Sequence, residues 1–152
     1  MGAPVEAATA FANLYQRWFD DARGLAEANR RQARRAVGAR VADVLTLWDE
    51  HARSWLPGAP TILRLESGDL AAFVMREPCI ALHSGRIATD APVAGLRWES
   101  FRPCSYVIGR TVADLVLVTG RGGLLEDVEV VLDDGGRLFL GNRDAWPLAH
   151  AV

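Results

Sequence analysis

The stretch that decides most of this fold is TVADLVLVTGRGGLLEDVEVVLDDGGRLFLG, residues 111–141. Two short glycine-rich segments, residues 120–123 and 133–136, separate three apolar runs and have the composition of tight turns. Connections this short can join only antiparallel strands, because parallel pairing needs a crossover of about a dozen residues or more. The stretch therefore predicts an antiparallel β-meander. Its first run is apolar on both faces, which predicts a central strand covered by the core and by a helix.

The same rhythm of apolar runs and turns extends toward the N-terminus as far as residue 61. TILRLE and LAAFVM flank Ser67-Gly68, and CIALH and GRIAT flank Ser84-Gly85, which is typical of hairpins. LRWESF and SYVIG complete the series. We therefore expect about seven to eight antiparallel strands in residues 58–152, arranged as a curved meander or a barrel-like sheet.

Residues 1–57 follow a different pattern. Residues 5–56 contain no proline, and Pro57-Gly58 ends the section. At about 100° per residue its apolar side chains fall along one slowly drifting stripe, as in an amphipathic helix. A continuous helix would be about 75 Å long, so it either extends beyond the sheet or folds back. The candidate positions for a fold-back are Gly24, Asn29 and Gly38. The predicted fold class is therefore α+β, with an N-terminal long helix or helical hairpin packed on a curved antiparallel sheet.

Length and composition indicate one domain, residues 1–152. Half of the residues are hydrophobic and 24% are charged, as in ordinary globular proteins. The formal net charge of −2 makes nucleic acid an unexpected partner. No apolar stretch reaches about 18 residues and the N-terminus resembles no secretion signal, so we expect a cytoplasmic protein without a membrane partner. Its two cysteines are then expected to be reduced core residues.

No familiar catalytic or cofactor-binding motif occurs in the sequence. TGRGGLL lacks the Lys-Ser/Thr pair of a phosphate loop, and neither Gly-x-Ser-x-Gly nor His-Glu-x-x-His is present. Cys79 and His83 fall on one face of a predicted strand, but about 13 Å apart, which is too far for both to bind one zinc ion. We therefore expect no metal and no cofactor, and the sequence favours binding over catalysis.

Arginines follow one face of the predicted helix, opposite a stripe of small residues. Arginine binds carboxylates and phosphates through paired hydrogen bonds, so this face could anchor an acidic protein surface or a phosphate backbone; the simpler interpretation is a solvated helix face. The candidate binding residues of this basic strip are Arg30, Arg31, Arg34 and Arg35.

Acidic residues mark a second candidate surface, in the predicted strand LLEDVEVVL. Strict alternation places Glu126 on the apolar face with Val128, and it places Asp127 and Glu129 on the opposite face. These carboxylates could recognise a protein, belong to a solvated strand or, at Glu126, serve as a general acid or base. Trp146 is a further candidate, as an exposed anchor or as a lid on the core.

Residues 108–146 resemble the meanders of small bacterial domains, among them immunity proteins encoded beside polymorphic toxins. The resemblance implies no role for individual residues. The function we predict is a non-catalytic protein-binding module of the immunity, antitoxin or adaptor kind, whose partner is another protein or a second copy of the chain. One alternative is a small-molecule or cyclase-type barrel with a pocket beneath the helix, and another is a structural subunit that oligomerises through its helix. The residues expected to line that pocket are Trp98, Tyr106, Phe73 and Met75.

Overall fold

The computed structural model describes residues 31, 33–56, 59–76, 79–87, 89, 95–119, 125–140 and 149–151. Within these residues the chain forms strands β1 Val41–Asp49, β2 Ser54–Trp55, β3 Thr61–Leu65, β4 Gly68–Arg76, β5 Cys79–Gly85, β6 Leu96–Ser100, β7 Val112–Thr119, β8 Leu125–Leu132, β9 Arg137–Leu140 and β10 Ala149–Ala151. A 3-10 helix, Arg102–Val107, joins β6 to β7, and a helical turn at residues 33–37 precedes β1. We call the latter the first helical turn.

The first sheet has six strands, in the order β2-β1-β3-β4-β5, with β6 also paired to β1. Leu45 of β1 lies opposite Ile62 of β3 and also opposite Ser100 of β6, so these two strands occupy opposite edges of β1. The two-residue turn between β3 and β4 makes that pair a tight hairpin, as its Ser-Gly sequence predicted. β1 is therefore the central strand of this sheet.

The second sheet contains β7 to β10 in the order β10-β9-β8-β7, with every pair antiparallel. The meander predicted for residues 111–141 is therefore confirmed for its three strands. Among the described strands, however, β7 is the last of this sheet, and Val116 and Val118 on its outer face are 38% and 40% exposed. The prediction that it is covered on both faces is wrong.

The predicted α+β fold is also wrong, because residues 41–49 and 54–55 of the expected helical section are strands. Four consecutive residues of β1, Val44 to Leu47, are buried. A run that is apolar on both faces of a strand also fits a helical stripe, so periodicity alone did not separate the two structures. The described helical structure is limited to a few residues before β1 and the 3-10 helix, and the prediction for residues 5–30 lies outside the described residues. The strands form two open sheets instead of one curved or barrel-like sheet.

The inner faces of the two sheets share one core. In β8 the buried Val128, Val130 and Leu132 alternate with half-buried residues, which is the pattern of a strand with one face on the core. They belong to the same cluster as Val44 and Leu63 of the first sheet. Burying an aliphatic side chain of this size contributes about 1.5–3 kcal/mol relative to leaving it exposed. Whether residues 1–152 form a single domain remains a prediction.

The two sheets meet where the chain segments that lead into β1 and β7 pair with each other around a local two-fold axis. Arg40 and Thr111 face each other at its centre. Four hydrogen bonds form two equivalent pairs around it: Gly38 N–H to Val112 O (2.8 Å) and Gly109 N–H to Val41 O (2.8 Å), then Val41 N–H to Arg110 O (2.8 Å) and Val112 N–H to Ala39 O (2.9 Å). Gly38 and Gly109 have φ of 91° and 85°, a conformation that favours glycine. The junction is therefore pseudo-symmetric.

The equivalence extends well beyond the junction. The sequence Val-Ala-Asp opens both β1, at residues 41–43, and β7, at residues 112–114, and both strands have a bulge there. The hairpin partner of each continues in equivalent register, with Leu65 opposite Val41 and Leu132 opposite Val112. The helical segments before the two strands also have equivalent hydrogen bonds. Before β1, the Val37 N–H donates to the Arg34 carbonyl and the Ala39 N–H to the Ala36 carbonyl. Before β7, the Ile108 N–H donates to the Ser105 carbonyl and the Arg110 N–H to the Val107 carbonyl. The described chain thus contains two similar units, each a helical segment followed by a bulged strand and its hairpin partner, which we call the two halves; β2 and β6 have no described counterpart in the second.

Candidate functional site

The clearest difference between the two halves is at the strands β1 and β7. β1 pairs along residues 45–49 with β6, whereas β7 is the last strand of its sheet in the part of the chain that the structure describes. On the outer face of β1, Leu47 is fully buried in a small cluster with Leu96 and Trp98 of β6. Its equivalent on β7, Val118, is 40% exposed. Within the described residues, β7 therefore presents an apolar edge, whereas β6 covers the equivalent edge of β1.

Acidic side chains lie beside these valines on the outer face of the second sheet. Val118 lies opposite Asp127 and Val116 opposite Glu129. Glu129 Oε1 forms an ion pair with Arg137 Nη1 on β9 at 3.0 Å, and its side chain is 17% exposed. Asp127 Oδ1 accepts a hydrogen bond from the Val128 N–H (2.9 Å). We call Val116, Val118, Asp127 and Glu129 the β7 edge surface.

Glu126 does not project with the apolar side chains of β8, as strict alternation predicted. The register of β7 and β8 shifts so that Thr119 lies opposite Leu125 and Val118 opposite Asp127, which leaves Glu126 as an extra residue. Leu125, not Glu126, is buried on the inner face, and Glu126 is only half buried. A bulge of this kind breaks the two-residue period locally. The structure therefore gives no geometric support for a buried catalytic carboxylate at Glu126.

The basic strip precedes β1 in the sequence, whereas the β7 edge surface belongs to the second sheet. Arg34 and Arg35 are exposed on the first helical turn, and Arg31 just before it is exposed too. Arg30 lies outside the described residues. The small Ala33 and Ala36 of the same turn are buried in the core, so the apolar and basic faces expected from the sequence are present over this one turn.

A half-open groove of about 420 Å³ lies between the first helical turn and the β3–β4 hairpin. Arg35 and Arg86 line it together with Ser84, whose buried hydroxyl has no hydrogen-bond partner within the described structure. Two aromatic residues expected around a pocket, Trp98 and Tyr106, are not among the residues that line this groove. The groove could admit a small polar or anionic group.

A buried ion pair supports one wall of the groove. The Asp69 side chain is fully buried and accepts hydrogen bonds from Arg64 Nε (3.1 Å), from Arg64 Nη2 (3.2 Å) and from the Ile87 N–H (2.8 Å). Arg64 Nη2 also donates to the Ile87 carbonyl at 2.8 Å. Because these bonds occupy the carboxylate from several sides, Asp69 serves to hold the chain after β5 against the hairpin.

The equivalent place in the second half is filled. Tyr106 stands where Arg35 stands in the first half, and its hydroxyl donates to the Arg137 carbonyl at 2.6 Å. Cys104 and Val107 also replace the smaller Ala33 and Ala36 beneath it. Larger side chains therefore occupy in one half the space that is open in the other.

The side chain of Cys104 is buried and protonated. Cys104 is a free, fully buried cysteine, and burial raises the pKa of its thiol from 9.0 to about 12, so it stays protonated near neutral pH. The described residues contain no group of three or more His, Cys, Asp and Glu side chains that could hold a metal ion. Among the described helices, none is long and apolar enough to cross a membrane.

Two features of the site escaped the sequence analysis. The apolar pattern of β7 predicts a covered central strand instead of exposed valines, and the repeat of Gly-x-x-Val-Ala-Asp at residues 38–43 and 109–114 forms no part of that prediction. That repeat was a visible signal, because the same six-residue pattern before two apolar runs suggests two equivalent strands. Trp146 lies outside the described residues, so its predicted role as anchor or lid stays a prediction.

Comparison with protein-family models, with curated proteins and with solved structures finds no match to this chain.

Proposed function

We propose that this protein is a non-catalytic protein-binding module and that it binds its partner through the β7 edge surface. The observation that carries the proposal is the exposure of Val116 and Val118, at 38% and 40%, on an edge strand. Natural proteins usually protect sheet edges with charges, prolines or covering segments, because an open apolar edge invites pairing with another chain. An edge kept apolar is therefore well suited to association.

The electrostatics of the same surface indicate the kind of partner. Asp127 and Glu129 lie directly behind the valines, and Asp114 is exposed on the same strand. Glu129 forms an ion pair with Arg137 at 3.0 Å, and the Asp114 side chain is exposed. A partner with an apolar centre and basic rim complements this arrangement, and opposite charges speed encounter and fix orientation more than they add affinity. An immunity or adaptor role would be one form of such binding, and a cytoplasmic location remains a prediction.

The β7 edge surface supports binding better than the basic strip does. Arg34 and Arg35 are exposed but have only one exposed apolar neighbour on the first helical turn, Val37. Binding energy in protein interfaces comes mainly from desolvated apolar or aromatic anchors, with exposed charges contributing little. The basic strip is therefore the less favoured of the two predicted surfaces.

The test is capture of partners from the native host with the tagged chain and with a matched pair of variants. Val118→Lys places a charge on the β7 edge, and Val37→Lys makes the same change at a valine that is 43% exposed on the first helical turn. We expect a stoichiometric partner with the wild-type chain and with Val37→Lys, and at least tenfold less of it with Val118→Lys. Equal loss in both variants, or none in either, would contradict the proposal.

The groove supports a second candidate function, the binding of a small anionic group. Its supporting observation is the unpartnered Ser84 hydroxyl between Arg35 and Arg86. Nuclear magnetic resonance titration with inorganic phosphate should then shift the Ser84 and Gly85 amide signals, and Ser84→Ala should weaken the response. Shifts spread evenly over the surface arginines would reject a specific groove site.

A further inference from the structure

We propose that the β7 edge accepts an extended segment of the partner protein as an added antiparallel strand, in the geometry that β6 adopts on β1. This rests on the proposed function and specifies the partner's backbone and side chains. The occupant to which we commit is a segment with an apolar or aromatic residue opposite Val118 and a hydrogen-bond donor side chain opposite Val116.

The backbone geometry follows from the pseudo-two-fold axis. On β1, the Val41 N–H donates to the Arg110 carbonyl and the Val41 carbonyl accepts from the Gly109 N–H. On the same edge of β1, the Val44 carbonyl accepts from the Phe101 N–H (2.8 Å). Because backbone groups alternate along a strand, the N–H and C=O of Thr46 face β6 as well. The equivalents of Val44 and Thr46 on β7 are Leu115 and Leu117. The Leu115 C=O and the N–H and C=O of Leu117 therefore point to the edge of β7 that no described strand covers, while the Leu115 N–H donates to Asp114 Oδ1.

The side-chain requirements come from how β6 fits β1. Trp98 of β6 lies opposite Leu47 on the outer face and shares its apolar cluster, and Val118 is the equivalent of Leu47. An apolar or aromatic residue at the same place would cover Val118. Cross-strand pairs of this type are stabilising units of a sheet, each contributing about 0.2–1 kcal/mol.

A polar contact sets the register. Ser100 of β6 donates its hydroxyl to Asp43 Oδ2 at 2.7 Å, while Asp43 Oδ1 accepts from the Val44 N–H at 2.8 Å. Asp114 repeats the second of these bonds, since its Oδ1 accepts from the Leu115 N–H at 2.8 Å. Its other oxygen is then placed to accept from a Ser, Thr, Arg or Lys of the incoming strand. The carboxylate would hold the donor opposite Val116, as Asp43 does opposite Leu45.

Charge favours a partner protein over a second copy of this chain. Edge-to-edge pairing of two β7 strands would bring the outer-face side chains Asp114, Val116 and Val118 of each copy opposite one another, and none of these can donate a hydrogen bond to Asp114. Where the two Asp114 carboxylates came close, like charges across the strands would be destabilising. A basic or neutral segment would meet no such repulsion.

The first arm of the experiment uses the intact protein and a synthetic peptide that copies β6, residues 94–102, AGLRWESFR. A control peptide exchanges Arg and Trp, which moves the aromatic ring to the other face of the strand. We expect the β6 peptide to shift the amide signals of β7 and to bind at least tenfold more tightly than the control, and Val118→Lys to abolish that difference. Equal binding of both peptides, or shifts confined to β1, would overturn the proposal.

The second arm measures hydrogen exchange of two equivalent amides in the free protein at several concentrations. Thr46 pairs with β6 and should exchange slowly, whereas Leu117 should exchange at least a hundredfold faster and slow down when the peptide is added. Slow exchange of Leu117 at every concentration would mean that this chain covers its own edge, and slowing with concentration would mean self-pairing; either result refutes a partner strand. If these arms fail while Val118→Lys still removes the captured partner, the strand geometry is wrong and the binding function stands. If no captured partner depends on Val118, the proposed function itself fails.

Discussion

Replacement of Asp69 by alanine should be among the most destabilising single changes in the first sheet. The carboxylate is fully buried and accepts three hydrogen bonds, two from Arg64 and one from the Ile87 N–H. Without this carboxylate, the Arg64 guanidinium and the buried Ile87 N–H both lose the acceptor of their hydrogen bonds. Removing one member of a buried ion pair costs about 3–5 kcal/mol. Arg64 is 26% exposed and can regain some hydration, so we expect the lower end, about 3 kcal/mol.

The assay is urea unfolding followed by tryptophan fluorescence, with two matched variants. With an m-value of about 2 kcal/mol/M, a loss of about 3 kcal/mol lowers the unfolding midpoint by about 1.5 M. Arg86→Ala is the control, because the Arg86 side chain is 69% exposed and lies 4.0 Å from the same carboxylate, which is long for an ion pair. This variant should lower the free energy of unfolding by less than about 0.5 kcal/mol. The double variant Arg64→Leu/Asp69→Leu should recover part of the loss, because no unpaired charge is left buried.

Two results would refute this reasoning. A midpoint for Asp69→Ala within about 0.25 M of the wild type would show that the pair contributes no more than a surface ion pair. A double variant less stable than Asp69→Ala would show that the geometry of the network, and not burial of an unpaired charge, determines stability.

Three further predictions follow from the pseudo-symmetric halves and the core. Asp114→Ala removes one carboxylate-to-N–H bond at a bulge and should lower the free energy of unfolding by about 1 kcal/mol in the same assay. Asp43→Ala removes the equivalent bond and also the bond from the Ser100 hydroxyl, so it should cost about 1–2 kcal/mol, and a smaller loss than for Asp114→Ala would contradict their equivalence. Gly38→Ala and Gly109→Ala place a side chain at φ of 91° and 85°, so each should cost about 1 kcal/mol or more by thermal unfolding, although open space surrounds both positions. Since the pKa of Cys104 is raised to about 12, the unfolded thiol ionises first; stability should therefore fall above pH 9 and fall less in Cys104→Ala, and native protein should react with a thiol reagent at Cys104 only as it unfolds.

The sequence predicted strands well in the meander and around Ser67-Gly68, but not around Ser84-Gly85, which lie within β5, or at SYVIG, which falls largely in the 3-10 helix. The meander of residues 111–141 and the hairpin around Ser67-Gly68 formed as expected. β1 was missed because VLTLW is buried on both faces, so its apolar residues fit a helical stripe as well as a strand. The division of the strands into two sheets could not be predicted from local pattern. It depends on pairing between the segments that lead into β1 and β7, which are far apart in the sequence.

The candidate site was predicted only in part, and for a related reason. The acidic residues of β8 were found from composition, and alternation correctly placed Asp127 and Glu129 on the face opposite Val128. It failed at Glu126 because a bulge inserts one residue into the period, which no count of apolar positions reveals. The open edge of β7 was beyond such reasoning, since exposure depends on the absence of a neighbouring strand and not on the sequence of the strand itself.

A molecule built from two similar halves offers an internal control for its own function. Features that both halves share, such as the bulged Val-Ala-Asp segments and the paired glycines, are explained by the needs of the fold. Function is then to be sought where the halves differ in what covers equivalent positions. The outer face of the first sheet is closed, with Leu45 and Leu47 buried, whereas the equivalent Val116 and Val118 of β7 are exposed. Among the described residues, the uncovered edge of β7 is therefore where we expect the proposed partner to bind.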